Sequence, residues 1–261
     1  YLDLTFNRLD GGTEAFGPIK WIEPVNWKTA VDNCSDNYHV PTTHLSAILV
    51  GTQMQGLPRL THQKQFESEN KHIFINGHSI TVRPLEKPDQ ARQIHGVTEE
   101  NRYLFEDYYR STFAEAEKRL GSFRAGGLQL GNHSLFPNGV LGFRLAHPRG
   151  PLETEFWHFA LVEKDLPEEL KSSLKRASGN YNGVTGLFEQ DDMDNWRGVT
   201  RGSRGSLARA YGQRLSMGVG HEGRHPDLPG IVSERYVSEN NQRHFYRRWA
   251  QLMKGDSWEH C

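Results

Sequence analysis

The chain has 261 residues, 36% apolar and 24% charged, with a formal net charge of −1. That length supports one large domain or two small ones with a sizeable core. The balanced charge argues against nucleic acid or a membrane surface as partner, and no apolar run is long enough to span a bilayer. The two cysteines, Cys34 and Cys261, exclude a disulfide framework and make a reducing, cytoplasmic compartment the expectation.

In chain order, residues 1–25 read as extended: YLDLTFNRLD alternates, Gly11-Gly12 interrupts it, and IKWIEPV follows as a second short strand. A helix starting at Asn26 or Thr29 carries Trp27, Ala30, Val31 and Cys34 at helical spacing. Pro41 ends or kinks it soon after His39. Residues 45–65, with Gly51, Gly56 and Pro58, read as a loop. KHIFINGHSITVRPL is the clearest hairpin, turning at Asn76-Gly77. Residues 86–97 are polar and loop-like. EENRYLFEDYYRSTFAEAEKRLG predicts one long helix over 99–120, capped by Thr98, lined by Leu104, Tyr108, Phe113 and Leu120, and ended by Gly121.

Residues 128–146 read as a second hairpin about Pro137-Asn138-Gly139, and residues 155–162 as a half-apolar strand. A short polar helix follows over 167–178. A Gly-punctuated loop over 180–196 holds the acidic cluster EQDDMDNW. Residues 197–232, rich in Gly, Arg and Pro, read as irregular. Ser238 caps a last helix in which Phe245, Trp249 and Leu252 share a face. The sum is one α+β domain on an antiparallel sheet.

Residues 26–44, NWKTAVDNCSDNYHVPTTH, gather two histidines and two aspartates in one short segment. Two neutral imidazoles and one carboxylate form the facial triad that binds Fe(II) and leaves positions open for oxygen. A helix end and the Pro41 turn could converge His39 and His44, and the Asp191-Asp192 pair could supply the carboxylate. The plainer alternative is two ordinary histidines and a solvated acidic loop. His221-Glu222-Gly223-Arg224-His225 matches the H-E-x-x-H zinc-protease pattern, but the glycines and prolines around it argue against the helix that chemistry requires. The aromatic residues of the helices and of FWHFALV read as core. The four arginines within residues 201–214 lack a phosphate-loop pattern and read as a solvated or subunit-facing segment.

The segment resembles the iron-binding segment of ring-hydroxylating (Rieske non-haem iron) dioxygenase α subunits. Their pattern is NWK, an acidic residue and Asn, D-x-Y-H, then T-H. Asn26-Trp27-Lys28, Asp32-Asn33, Asp36-Asn37-Tyr38-His39 and Thr43-His44 follow it in order. The family's second signature, a Gly-rich approach ending in an aromatic and then E-x-D-D-x-x-N, is matched over residues 183–195. The resemblance runs from GGTE near Gly12 to NQRHFYRRW in the last helix.

It implies a helix-grip (START/Bet v 1-like) fold, an antiparallel sheet wrapped around a long helix. It implies His39 and His44 as iron ligands, with Asp192 as the carboxylate ligand and Asp191 as runner-up. Asp36 would bridge to a Rieske-cluster histidine of the neighbouring subunit. Asn33 would lie near the iron, and Cys34, Val40, Phe188, Asn132 and His133 around the substrate pocket. The implied cofactors are a mononuclear Fe(II) and a Rieske [2Fe-2S] cluster. The implied partners are an aromatic substrate, O2, neighbouring subunits in an α3 or α3β3 assembly, and a ferredoxin with an NAD(P)H-dependent reductase. The product would be a cis-dihydrodiol. The family's C-x-H and C-x-x-H cluster ligands do not occur in these residues. The chain is therefore expected to be a single catalytic domain, the C-terminal part of a longer α subunit whose Rieske domain precedes it. A non-catalytic helix-grip ligand-binding module and an H-E-x-x-H zinc hydrolase are the alternatives.

Overall fold

Two antiparallel sheets carry the chain. The structure, a computed structural model, describes residues 1–54, 71–84, 96–135, 138–140 and 142–257. In the smaller sheet β7 (Glu153–Glu163) lies between β1 (Thr13–Glu23) and β6 (Phe143–Gly150). The larger sheet runs β5 (Asn138–Val140), β4 (Leu128–Leu135), β3 (His78–Pro84), β2 (Lys71–Ile75), β9 (Ile231–Ser233), β8 (Glu222–Gly223). Asn76 and Gly77 take φ of 49° and 84°, as the two-residue turn between β2 and β3 requires. The fold is the expected α+β helix-grip type. No helix among the described residues is long and apolar enough to cross a membrane.

Eleven-residue β1 starts later than its sequence suggests, because Leu2–Phe6 form a helix, α1. Its buried Leu4 joins a core cluster with Ile80 and Leu120, and five residues are too few for alternation to decide between helix and strand. Asn26 caps α2 (Trp27–Asn33) by accepting a hydrogen bond from the Lys28 amide at 3.1 Å. That helix stops before His39, and Pro41 sits in the first turn of a separate helix, α3 (Val40–Thr43), where a missing N–H costs nothing. The expected loop over 45–65 is instead helical from Leu45–Met54, here α4. Gly51 is tolerated inside it at about 1 kcal/mol relative to Ala, and residues 55–65 lie outside the described residues, as do 86–95 of the expected polar loop.

The expected long helix is two, α5 (Arg102–Ser111) and α6 (Phe113–Leu120). They meet at Thr112, whose Oγ1 donates to the Tyr108 carbonyl and accepts from Arg8, both at 2.8 Å. Such back-bonding bends helices. Thr98 and Asn101 form a reciprocal capping box ahead of α5. A short helix, α7 (Ser122–Gly127), leads into β4.

The second hairpin also differs. Asn138 and Gly139 lie in strand β5, opposite Leu135 and Ser134, rather than in a turn; Pro137 of the expected turn lies outside the described residues. Residues beyond Gly142 do not return along β4 but pair with β7. Gly142 redirects the chain with φ +88°, and a Cβ there would meet the Phe159 carbonyl oxygen at 2.7 Å.

Helix α8 (Glu168–Asn182) is a turn longer than expected. The acidic cluster lies on a helix and not in a loop: α9 spans Leu187–Gly202 and buries Glu189, Met193, Trp196 and Thr200 on one face. Its helical period was masked by the glycines before it. Residues 197–232 hold the end of α9, α10 (Ser206–Ala210) and strands β8 and β9. Ser238 accepts from the Asn240 amide at 3.2 Å ahead of α11 (Asn240–Met253). The buried face of α11 is largely polar, with Asn241, Gln242 and Arg248 beside Phe245.

A core of Trp21, Val25, Ala30, Ala146, Phe156, Met193 and Trp196 joins the small sheet to α2 and α9. Phe156 is its hub, with ring centroids 5.5 Å from Trp21 and 5.4 Å from Trp196. Burying each such ring stabilises the fold by about 1.5–3 kcal/mol. At the junction between the sheets, Gly142→Ala should lower unfolding free energy by about 2 kcal/mol, read as a reduced midpoint in chemical denaturation.

Candidate metal centre

Residues 34–38 cross the interior between α2 and α3, so their backbone groups need partners. The Asn241 side chain donates to the Ser35 carbonyl at 2.9 Å, Asn132 to the Asp36 carbonyl at 2.6 Å, and Tyr236 to the Asn37 carbonyl at 2.6 Å. From this pinned loop the one-turn helix α3 begins. His39 stands at its start and His44 at its end, which brings the two rings to 5.4 Å. Asp192 arrives from the distant helix α9, where Met193 and Trp196 are locked into the core.

The three side chains converge. Asp192 Oδ1 lies 3.2 Å from His44 Nε2 and 3.9 Å from His39 Nε2. One ligand atom from each lies within 4.8 Å of the others, and no other such group of three occurs among the described residues. Ligands at about 2.1 Å and right angles lie about 3 Å apart, so small side-chain adjustments would close the set around one ion. The opposite ring edges are engaged by carboxylates. His39 Nδ1 donates to Asp36 Oδ1 at 2.7 Å, and His44 Nδ1 to Asp191 Oδ2 at 3.3 Å. With Nδ1 protonated, each Nε2 keeps its lone pair facing inward.

Asp36 is itself fixed. Its Oδ1 accepts from the His39 amide at 3.1 Å and its Oδ2 from Gln242 at 2.6 Å. Asp192 Oδ1, by contrast, is buried and accepts no hydrogen bond. A buried, uncompensated carboxylate oxygen facing two imidazole nitrogens is costly without a cation, so the donor set fits a divalent metal.

The electrostatics agree. Burial pulls the His39 imidazole down, but the hydrogen bond and charge of Asp36, with the charge of Asp192, more than reverse this and leave it raised. Burial, then the Asp36 charge, lift Asp32 to about 7. Beside them Arg144 and Glu189 form a buried ion pair at 2.5 Å. The guanidinium is held charged against burial mainly by Glu189, and burial, only partly offset by Arg144, lifts Glu189 to about 7. Burial also pushes the Cys34 thiol up to about 12.

The remaining sequence candidates fall in different places. Phe188 packs on the His44 ring at 4.9 Å and on Tyr181 at 5.2 Å. Asn33 is the last residue of α2, Cys34 its buried cap, and Val40 the first residue of α3. Asn132 is engaged as a pin of the metal loop. His133 donates to the Gly131 carbonyl at 3.0 Å and lines a cavity of about 250 Å³ whose walls include Leu4, Tyr109, Leu130 and Phe143. None of the three converging residues lines that cavity. Asp191 sits on the outer edge of His44, as its orienter. The H-E-x-x-H motif is not helical: Glu222 lies in β8 and pairs with Arg243 at 2.9 Å. The sequence gives no role to Tyr236, nor to Asn241 and Gln242 within the matching NQRHFYRRW segment, since polar residues far from the histidines do not reveal what they reach.

Two outcomes follow from this geometry. Asp191→Ala should weaken Fe(II) binding about tenfold, against complete loss for Asp192→Ala, measured by anaerobic chelator competition. Held as a neutral thiol, Cys34 should resist iodoacetamide at pH 8 in the folded protein and react promptly once unfolded, as peptide mass mapping would show.

Residues 14–255 match the family model described as ring hydroxylating alpha subunit (catalytic domain). The chain is 34% identical to the biphenyl 2,3-dioxygenase α subunit of Rhodococcus jostii (strain RHA1), over 99% of this chain and 57% of that protein. It is 31% identical to the benzene 1,2-dioxygenase α subunit of Pseudomonas putida (strain F1), over 99% of this chain and 58% of that protein. The chain thus spans somewhat over half the length of the curated relatives it matches. A structure of naphthalene 1,2-dioxygenase with indole bound in the active site superposes with a TM-score of 0.83 at 26% identity, covering 100% of this chain and 59% of that one. The naphthalene 1,2-dioxygenase of Rhodococcus sp., also with indole, gives 0.76 at 30% identity, covering 98% and 60%. Fold, motifs and similarity together mean that this chain belongs to the ring-hydroxylating α subunit family and spans its catalytic domain.

Proposed function

We propose that the chain is the catalytic domain of an aromatic-ring-hydroxylating dioxygenase, holding one Fe(II) through His39, His44 and Asp192. The observation that carries this is the convergence of two imidazoles, each backed by its own carboxylate, on a carboxylate oxygen that has no other partner. Iron bound there supplies the activation of O2 needed to add both oxygen atoms to an aromatic ring as a cis-dihydrodiol.

The protein's own part is positional. Asp36 and Asp191 hold the imidazoles so that both Nε2 atoms face the same point. Phe188, Cys34 and Val40 supply apolar surface near the ligands and keep water from one side. The relatives are named for biphenyl, benzene and naphthalene, and on this reading the substrate is a neutral mono- or bicyclic aromatic.

These residues contain no pattern of cysteines for a Rieske cluster. The electrons would therefore come from a [2Fe-2S] centre held outside them, making this the catalytic part of a longer α subunit. We assign Asp36 as the relay to such a cluster on a neighbouring subunit, since it is one hydrogen bond from His39. An α3 or α3β3 assembly, fed by a ferredoxin and an NAD(P)H-dependent reductase, fits that role.

Fe(II) reconstitution tests the reading. One iron per chain should bind, and His39→Ala should abolish uptake. Zinc binding lost on His221→Ala, with no iron uptake, would favour a hydrolase. Aromatic ligand binding with no metal at all would favour a binding module.

A further inference from the structure

The three converging side chains are not held in the same way. His39 has Asp36 and His44 has Asp191 on the far ring nitrogen. Asp192 has no equivalent: its buried Oδ1 accepts no hydrogen bond. Its orientation is therefore inherited from α9. The core grips that helix through Met193 and Trp196, on the side of the turns beyond Asp192.

The first turn of α9 is gripped by something else. Glu189, three residues before Asp192 and on a neighbouring face, is 2% exposed and accepts a hydrogen bond from Arg144 of β6 at 2.5 Å. The same guanidinium nitrogen reaches the carbonyl of Asn182, the last residue of α8, at 3.4 Å. One arginine thus ties together a strand, the C-terminal end of one helix and the N-terminal turn of the next. Both charges match the helix ends they meet: the cation lies at a C-terminus and the anion at an N-terminus. Arg144 is 4% exposed, and its charge is felt at both Asp192 and Cys34.

We propose that the Arg144–Glu189 pair is the positioning device for the carboxylate ligand, doing for Asp192 through the helix what Asp36 and Asp191 do directly for the imidazoles. This rests on the iron-site reading above. A buried pair of this kind is a poor source of net stability, because apolar residues of similar size often replace one without loss of stability. Its place behind a ligand-bearing turn is better explained by geometry than by stability.

The test separates those two roles. The double variant Arg144→Met/Glu189→Met removes both charges and keeps the volume. Glu189→Gln keeps the shape and a hydrogen bond but removes the anion. Each is compared with wild type for thermal midpoint, for Fe(II) affinity by anaerobic chelator competition, and for the visible spectrum of bound Co(II), which reports ligand geometry. The expected result is Fe(II) affinity at least about tenfold weaker and an altered Co(II) spectrum in both variants, with the thermal midpoint of the double variant near wild type and that of Glu189→Gln, which leaves Arg144 buried without its anion, lowered. If the double variant does not fold, Glu189→Gln alone decides by the same readouts. Fe(II) affinity within twofold of wild type and an unchanged Co(II) spectrum in Glu189→Gln would overturn the proposal. Failure of the wild type to bind Fe(II) would overturn the iron-site reading beneath it, a distinguishable result.

Discussion

A carboxylate oxygen buried without a hydrogen bond beside two imidazole nitrogens is the constraint on which this structure turns. A buried carboxylate oxygen without a hydrogen bond is costly, and the groups facing Asp192 Oδ1 are the Nε2 atoms of His44 and His39, at 3.2 Å and 3.9 Å. A shared cation resolves the conflict at once, because it satisfies the anion and both nitrogen lone pairs. The surrounding residues then read as consequences. Asp36 and Asp191 set the tautomers of the two histidines, and Gln242 holds Asp36 in place.

The fold's task is to bring residues 36–44 and 189–192, far apart in sequence, to one point. Neither segment is rigid alone. Helix α3 is a single turn, and the loop before it is held by side chains of Asn132, Tyr236 and Asn241 from three other parts of the chain. Helix α9 is anchored by apolar packing on Phe156 and by the pair to Arg144. The polar inner face of α11, which is odd for a core helix, follows from the same need, since Asn241 and Gln242 reach in to the metal loop.

Much of this was legible in the sequence, and what was not had physical reasons. The Asn76-Gly77 hairpin and strand β7 carry strong local signals, and both appear. His39, His44 and the Asp191-Asp192 pair stood out by residue type and by resemblance to a family motif. What separates Asp192 from Asp191 in space is the rotation of a helix, which the glycine-rich approach disguised as a loop. Thr112 interrupts a helix by hydrogen bonds to Tyr108 and Arg8, and a long-range partner cannot be read from a local period. Gln242 and Arg144 gained their roles only when distant segments met.

X-ray absorption at the iron edge of the Fe(II)-loaded protein is the most direct measurement of the central claim. A first shell of light atoms at about 2.1 Å, with the outer-shell scattering of two imidazoles, is the expected result. Iron bound with one imidazole or none would contradict it.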